Sequence, residues 1–421
     1  MKIKSPGQLF PGKRVPGQLA FSAIFVTVLI DIIGFGIIIP VMPDLLTQVT
    51  QLSPAKAVTY SGYLMMIFAL TQFISTPILG ALSDHFGRRP VILLSLLGYV
   101  VDFMIMGLAK SFTILFFGRI FSGIFAATHS TANAYIADIT PSEERAVRFG
   151  MLGAAFGVGF IIGPAIGGIL GAYYGPRAPF FAAAGLAAIN LVYCFFVLPE
   201  TLTKENRRPF DWKRANPLGN LIQLQRYPVM LPILIAMFLF NVAHFALQAT
   251  WSWYGKVKFD WGPDFIGYSL MAVGISAAIV QGGLIKTLLA RLGERKCVIL
   301  GGLATAFAYI AYAYVPYGWM VYPVILVGAF GGILQPALQG IMSRTIPADS
   351  QGELQGAIAS LMSVAMIFGP IIMTRTFSIF TVETAPIYFP GAPFLLAGLL
   401  VIISAIPLRL AFKNLAKREN Q

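Results

Sequence analysis

Twelve apolar stretches recur along the chain, separated by short polar breaks: roughly 18–42, 58–82, 91–109, 112–137, 147–172, 177–198, 228–255, 264–285, 297–315, 318–341, 352–378 and 391–412. Each is about as long as a helix needs to be to cross a hydrocarbon core of roughly 30 Å. The pattern predicts an all-α membrane protein with twelve transmembrane helices. Its longest polar interval, 199–227, carries six Lys and Arg and falls near the middle, which predicts a six-helix bundle over 1–198, a central loop over 199–227 and a second six-helix bundle over 228–421.

The two halves repeat each other at an offset of 206. "DHFGRRPVIL" from residue 84 aligns with "ARLGERKCVI" from 290, superposing Gly87 on Gly293 and Arg89 on Arg295. "TPSEERAVRFG" from 140 aligns with "IPADSQGELQG" from 346, matching Pro141 to Pro347 and Gly150 to Gly356, and "GPAIGG" from Gly163 aligns with "GPIIMT" from Gly369. Two pseudo-symmetric six-span halves are the plan of a transporter that rocks around a midplane site. A duplicated bundle without a transport path is the plainer alternative.

Composition agrees with the spans. Of 421 residues, 57% are hydrophobic and 11% charged, against about 25% charged in soluble domains. The net charge of +13 invites a nucleic-acid reading, but position decides against it. Of 30 Lys and Arg, 23 belong to the N-terminus, the even-to-odd loops and the C-terminus. Lys56, Lys110, Arg177, Lys256 and Lys258 lie on the opposite side, and Arg119 and Arg375 lie inside spans. Excess positive charge marks the cytoplasmic side, so both termini are expected in the cytoplasm of a multi-pass inner-membrane protein. The basic N-terminal segment leads into a full-length span with no small-residue cleavage site, which predicts a retained first helix. Cys194 and Cys297 are far apart and suggest neither disulfide nor metal site.

The turn "GALSDHFGRRPVILL", residues 80–94, joins spans 2 and 3 with glycines, an acid at a helix end and a basic pair. It reads as a solvated turn or as a latch. It resembles the G-x-L-x-D-x-x-G-R-R signature of the major facilitator superfamily, matched at every fixed position. The resemblance implies a latch of Gly80, Asp84, Gly87, Arg88 and Arg89, with Asp138 nearby. It also implies that Asp84 sits against the N-terminus of the span-11 helix in the outward-closed packing, where a carboxylate gains from the helix dipole.

In span 5, "GVGFIIGPAIGG" (157–168) places small residues at close spacing, so that a neighbouring helix can approach, around a proline that interrupts the hydrogen-bond ladder. Packing face and hinge are both open on these residues. Gly159, Gly163, Pro164, Gly167 and Gly168 match the signature that the superfamily associates with antiporters, which implies efflux. "GRIFSGIFAATHSTANAYIADIT" (118–140), "APFFAAAGLAAINL" (178–191), "RRPFDWKRANPL" (207–218) and "PALQGIMSR" (336–344) are similar to the twelve-span tetracycline/proton antiporters. The likeness runs from about residue 20 to 375, densely in the first half.

Three charged residues sit inside apolar runs, where a charge is expensive and marks function. At 1.5 Å per residue, Asp31 and Asp102 lie roughly 16 Å in from the cytoplasmic side and Arg119 about 20 Å. They share one layer, while their counterparts at offset 206, Met237, Ala308 and Ile325, are uncharged. Burial favours a neutral acid and a neighbouring guanidinium favours the carboxylate, so an acid between the two can take up and release a proton. A static Asp–Arg pair is the alternative. The resemblance assigns acids at Asp31 and Asp102 and the arginine at Arg119 to the proton and substrate machinery.

His129, Asn190, Asn241, His244, Gln248, Gln281, Gln335 and Gln339 are further mid-span polar groups; singly, each reads equally as an interhelical hydrogen bond. His244 and Gln248 share a helix face by their i, i+4 spacing. With Trp251 and Trp253 they offer polar grips and aromatic walls to a multi-ring ligand. Asn190, His244, Gln248, Trp251, Gln335 and Gln339 are the candidate substrate contacts. The tetracycline pattern is broken twice. Thr305 stands where an acid is usual in span 9, and "FDWGPD" (259–264) has Asp260 and Gly262 in place of a His and an Asp. Arg375 is expected to snorkel at the outer end of span 11. No nucleophile–base pair, phosphate loop or metal-ligand spacing is present. The expectation is a non-enzymatic, monomeric drug/proton exporter in the bilayer, with no cofactor and no nucleic-acid partner; a proton-coupled symporter or facilitator is the competing class.

Overall fold

The computed structural model describes residues 17–141, 144–210, 230–345 and 351–419. The N-terminal segment before residue 17, most of the 199–227 loop and Pro347 of the repeat lie outside them. The described residues form helices and connections, without strands.

Twelve spanning helices follow the apolar runs. They are α1 (Gly17–Ile38), α2 (Pro54–Phe86), α3 (Arg88–Leu108), α4 (Phe112–Ile139), α5 (Arg145–Tyr174), α6 (Ala178–Val197), α7 (Leu231–Phe259), α8 (Pro263–Ala277, prolonged by a π-helical turn, Ala278–Leu284, and by 285–292), α9 (294–314, after the non-helical Gly293), α10 (Gly318–Thr345), α11 (Gln351–Ile379) and α12 (Ala392–Glu419). A short amphipathic helix, Met42–Thr50, lies between α1 and α2.

The duplication is visible in the backbone. Gly87, between α2 and α3, has φ 110° and ψ 162°; Gly293, between α8 and α9, has φ 74° and ψ 163°. Both sit in the positive-φ region that only glycine enters freely. The packing repeats too. The pair α1–α5 recurs as α7–α11, α3–α6 as α9–α12 and α2–α4 as α8–α10. Between the halves α2 packs on α11 and α5 on α8, and a shift of six helices exchanges these pairs. A six-span unit that cannot bury all its small-residue faces alone has two copies to bury them in.

Two irregularities do not follow from the apolar pattern. Helix α4 breaks at Ala126–Ala127, where the Ala126 carbonyl accepts a bond from Gln72 Nε2 at 3.3 Å. In α8 the π-helical turn contains Gly282 and Gly283, whose poor helix propensity permits the change of pitch.

Candidate functional site

Arg119 and Asp102 form the buried charged pair, at 2.6 Å, with the guanidinium also 5.8 Å from the centre of the Phe68 ring. Asp31 lies in the same layer but does not share Arg119. Its Oδ1 accepts from Asn190 Nδ2 at 3.0 Å, and the same amide donates to the Thr27 carbonyl. The expectation that Asp31 is poised against the arginine is therefore corrected: α3 and α4 present Asp102 and Arg119 to each other, while Asp31 faces α6. Asn190, expected to touch substrate, is wholly buried behind Asp31 beside Cys194 and Thr27.

At the end of the bundle carrying residues 80–89, called here the basic end, Arg88 bonds Asp84 at 2.5 Å and Asp138 at 2.9 Å. Arg89 donates to the Phe195 carbonyl and lies over that ring. Asp84 is not held by the first turn of α11 among the described residues; its ion-pair partner is Arg88, although the opposite end of the molecule is closed. Glu200 is the member that sequence reading missed. Its carboxylate accepts the backbone N–H groups of Arg88 and Arg89, and those of Thr201 and Leu202. It thereby caps the positive end of α3. Any side chain at Gly87 would overlap this carboxylate. Gly80 faces open space.

The glycines of α5 are packing faces on two sides. A Cβ on Gly159 would come within 2.6 Å of Ile32, and one on Gly163 within 2.7 Å of the Ile33 carbonyl; one on Gly167 would overlap the Ile37 carbonyl. All three meet α1. On the other side Gly168 is so close to the Pro263 carbonyl that a Cβ would lie 2.5 Å away, and Pro164 packs on Gly267 of α8.

Two cavities border α7, the first of them between the halves. One, of about 240 Å³, is mainly apolar, with Phe35, Phe68, Phe160 and Phe245 joined by Arg119 and Gln248. The other, of about 430 Å³, is lined by α7, α8, α9 and α10 of the second half alone, and His244, Gln281, Thr305, Tyr309, Gln335 and Gln339 supply its polar groups. Leu247 borders both. His244 and Gln248 are exposed although they lie mid-helix, so this face of α7 is turned to the cavity. Trp251 and Trp253 also line the apolar chamber but are 1% and 2% exposed. Trp251 is a packed anchor and not an open wall: its indole donates to Ser269 Oγ at 2.8 Å and its ring packs edge-on to Tyr312 and Phe394. His129 packs on Phe156, and Asn241 bonds its own helix.

The end opposite the basic end is closed between the halves. Lys256 of α7 pairs with Asp44, and Ser252 Oγ donates to the Ile39 carbonyl at 3.2 Å. Arg375 does not snorkel; it donates to Tyr63 Oη at 2.8 Å across the α2–α11 seam. Towards the basic end, Gly150, Gly153 and Gly157 of α5 and Gly282 and Gly283 of α8 have no neighbour against them among the described residues. Half-exposed ion pairs contribute about 1 kcal/mol or less, so Asp44→Asn is expected to raise the open fraction of this end severalfold at most. Spin-label distances across the seam would lengthen; an unchanged distribution would show that the pair carries no closing energy.

Comparison with known proteins follows the same line. The Major Facilitator Superfamily model matches residues 24–370. A class C tetracycline resistance protein of Escherichia coli is 40% identical over 359 residues, covering 85% of this chain and 90% of that protein. A class D tetracycline resistance protein of Salmonella ordonez is 37% identical over 356 residues, 84% of this chain and 88% of its own. The crystal structure of a bacterial homolog of the human lysosomal transporter Spinster superposes with TM-score 0.77 at 16% identity, covering 96% of this chain and 99% of that one.

Proposed function

The chain belongs to the major facilitator superfamily, and we propose that it exports tetracycline or a related amphipathic compound in exchange for protons, by alternating access. One observation carries the reading. A buried acid–arginine pair stands at the wall of an aromatic cavity between two six-helix sets closed at one end, and across Leu247 an amide-lined chamber opens within the second set. An amphipathic multi-ring molecule fits such a division, with its apolar body among Phe35, Phe68 and Phe245 and its polar edge towards Gln248, His244, Gln335 and Gln339.

The roles follow from where each residue sits. Asp31 carries the proton. Asp102 and Arg119 sense the substrate, because Arg119 borders the cavity and Asp102 stands behind it. Asn190 orients Asp31. Asp84, Arg88, Arg89 and Asp138, joined by Glu200, brace the basic end, and the α5 glycines with Pro164 form the bearing on α1 and α8. We read 1–198 and 228–421 as the two moving units and 199–227 as their tether. The positive charge at the basic end supports a cytoplasmic placement of both termini. The protein works as a monomer in the bilayer without cofactor, covalent catalysis or nucleic acid. In everted vesicles, added tetracycline is expected to collapse a preformed pH gradient as it accumulates. Proton flow in the same direction as the compound would favour a symporter instead.

Thr305 tests the substrate side. It borders the polar chamber, where neighbouring groups are amides, His244 and Tyr309, without a carboxylate. A chelated, charged tetracycline has less compensation for lost hydration there than in a chamber holding an acid. Thr305→Asp is expected to raise export of magnesium–tetracycline relative to lipophilic compounds of low charge. Full wild-type export of the magnesium complex, unmoved by the substitution, would show that the missing acid is immaterial.

A further inference from the structure

Asp31 borders neither cavity, whereas Arg119 does. Asp31 is partly exposed, but its Oδ2 is buried without a hydrogen bond and it lines neither of the two cavities, so a route other than the substrate cavity is open to its proton. Around it, α3 packs on the second part of α4, and each helix carries a row of buried polar residues. On α3, Ser95, Tyr99 and Asp102 recur at helical spacing; on α4, Thr128, Thr131 and Tyr135 do the same. Ser95, Asp102, Thr128, Thr131 and Tyr135 are each 2% exposed or less. The Thr128 side chain stands beside both Asp31 and Tyr99.

Apolar packing gives no reason for this row. Asp31 Oδ2, Asp102 Oδ1 and the hydroxyls of Ser95, Thr128 and Thr131 are buried and make no well-aligned hydrogen bond. Buried polar groups are ordinarily satisfied, by protein or by ordered water. Counting inward at 1.5 Å per residue from the observed helix ends Gly17, Arg88 and Ile139, which lie outside the apolar runs used for the earlier depths, Ser95 and Thr131 lie about 10–12 Å along, Tyr99 and Thr128 about 16 Å, and Asp31 about 21 Å. The row ends at Tyr135, whose hydroxyl donates to the Pro199 carbonyl, next to Glu200.

We propose that protons leave Asp31 through the first six-helix set itself, along a hydrated track of Tyr99, Thr128, Ser95, Thr131 and Tyr135, and not through the substrate cavity. This rests on the exporter reading above. Each transfer passes a proton between a hydroxyl and a neighbouring oxygen or water, so no co-reactant is required. The titratable and charged groups around Asp31 are Tyr99 and Asp102 of α3, Arg119 of α4 and Cys194 of α6; α5 meets α1 through Gly159, Gly163 and Gly167, and His129 is turned to Phe156.

The test uses full-length protein in proteoliposomes with tetracycline as the probe. Thr128→Val and Thr131→Val replace a hydroxyl by a methyl of similar size. Gradient-driven transport is expected to fall at least about tenfold relative to counterflow exchange, less than the roughly hundredfold or more that a positioned acid or base contributes, because water can stand in for one hydroxyl. Its pH profile should move to higher pH on the basic side, where release is driven harder, and Thr128→Ser and Thr131→Ser should restore both. Driven transport and exchange falling together, or serine failing to rescue, would overturn the track. So would valine variants that behave as wild type. A wild-type protein whose transport ignores the pH gradient overturns the exporter reading itself.

Discussion

Replacing Asp31 with Asn is expected to abolish accumulation of substrate against its gradient while the protein still folds. The amide can accept the Asn190 bond through its own carbonyl oxygen, so the local packing is kept. It also mimics the protonated acid permanently, and a carrier that cannot give up its proton cannot cycle. The loss should exceed that of either valine variant in the track, because those slow a route and this removes its terminus. Transport driven by a pH gradient, compared with downhill exchange, is the measurement. A variant that still concentrates substrate would move the role of carrier to Asp102.

Gly167→Val carries the second large effect. Most core glycines meet side chains that can turn aside, but the neighbour of Gly167 is the Ile37 carbonyl, fixed in the backbone of α1. Overpacking costs typically 1–3 kcal/mol, and about 1.4 kcal/mol is already tenfold in an equilibrium. The α1–α5 seam must open to admit the side chain, which displaces Asp31 on α1 and the α8 contact beyond. Transport should fall at least about fivefold by that conversion. Gly185→Val is the control, since its position on α6 meets open space. Equal transport in the two variants would show that the tight seam is not required.

The spans were legible because hydrocarbon thickness leaves little choice of length. Even the matching of Gly87 with Gly293 and of Pro164 with Pro370 follows from a repeat visible as letters. Depth was legible as well: counting residues put Asp31, Asp102 and Arg119 in one layer. What counting along an axis cannot give is rotation about it. Arg119 therefore went to Asp102 and Asp31 to Asn190, and Asn190 moved from the substrate to the proton site. Arg375 turned inwards to Tyr63 for the same reason. Glu200 was invisible for another: its partners Arg88 and Arg89 lie more than a hundred residues away, and a lone acid after a span looks like an ordinary loop residue. The break in α4 was equally silent, since Ala126 and Ala127 favour a helix and the Gln72 bond that relieves the break comes from α2.

The central claim is that substrate binding and proton loss at Asp31 are one event. Purified protein in weakly buffered detergent solution, titrated with tetracycline beside a pH indicator, measures it directly. Saturable proton release is expected with the wild-type protein and none with Asp31→Asn, while tetracycline still binds both. Saturable binding without release, or release undiminished in Asp31→Asn, would contradict it.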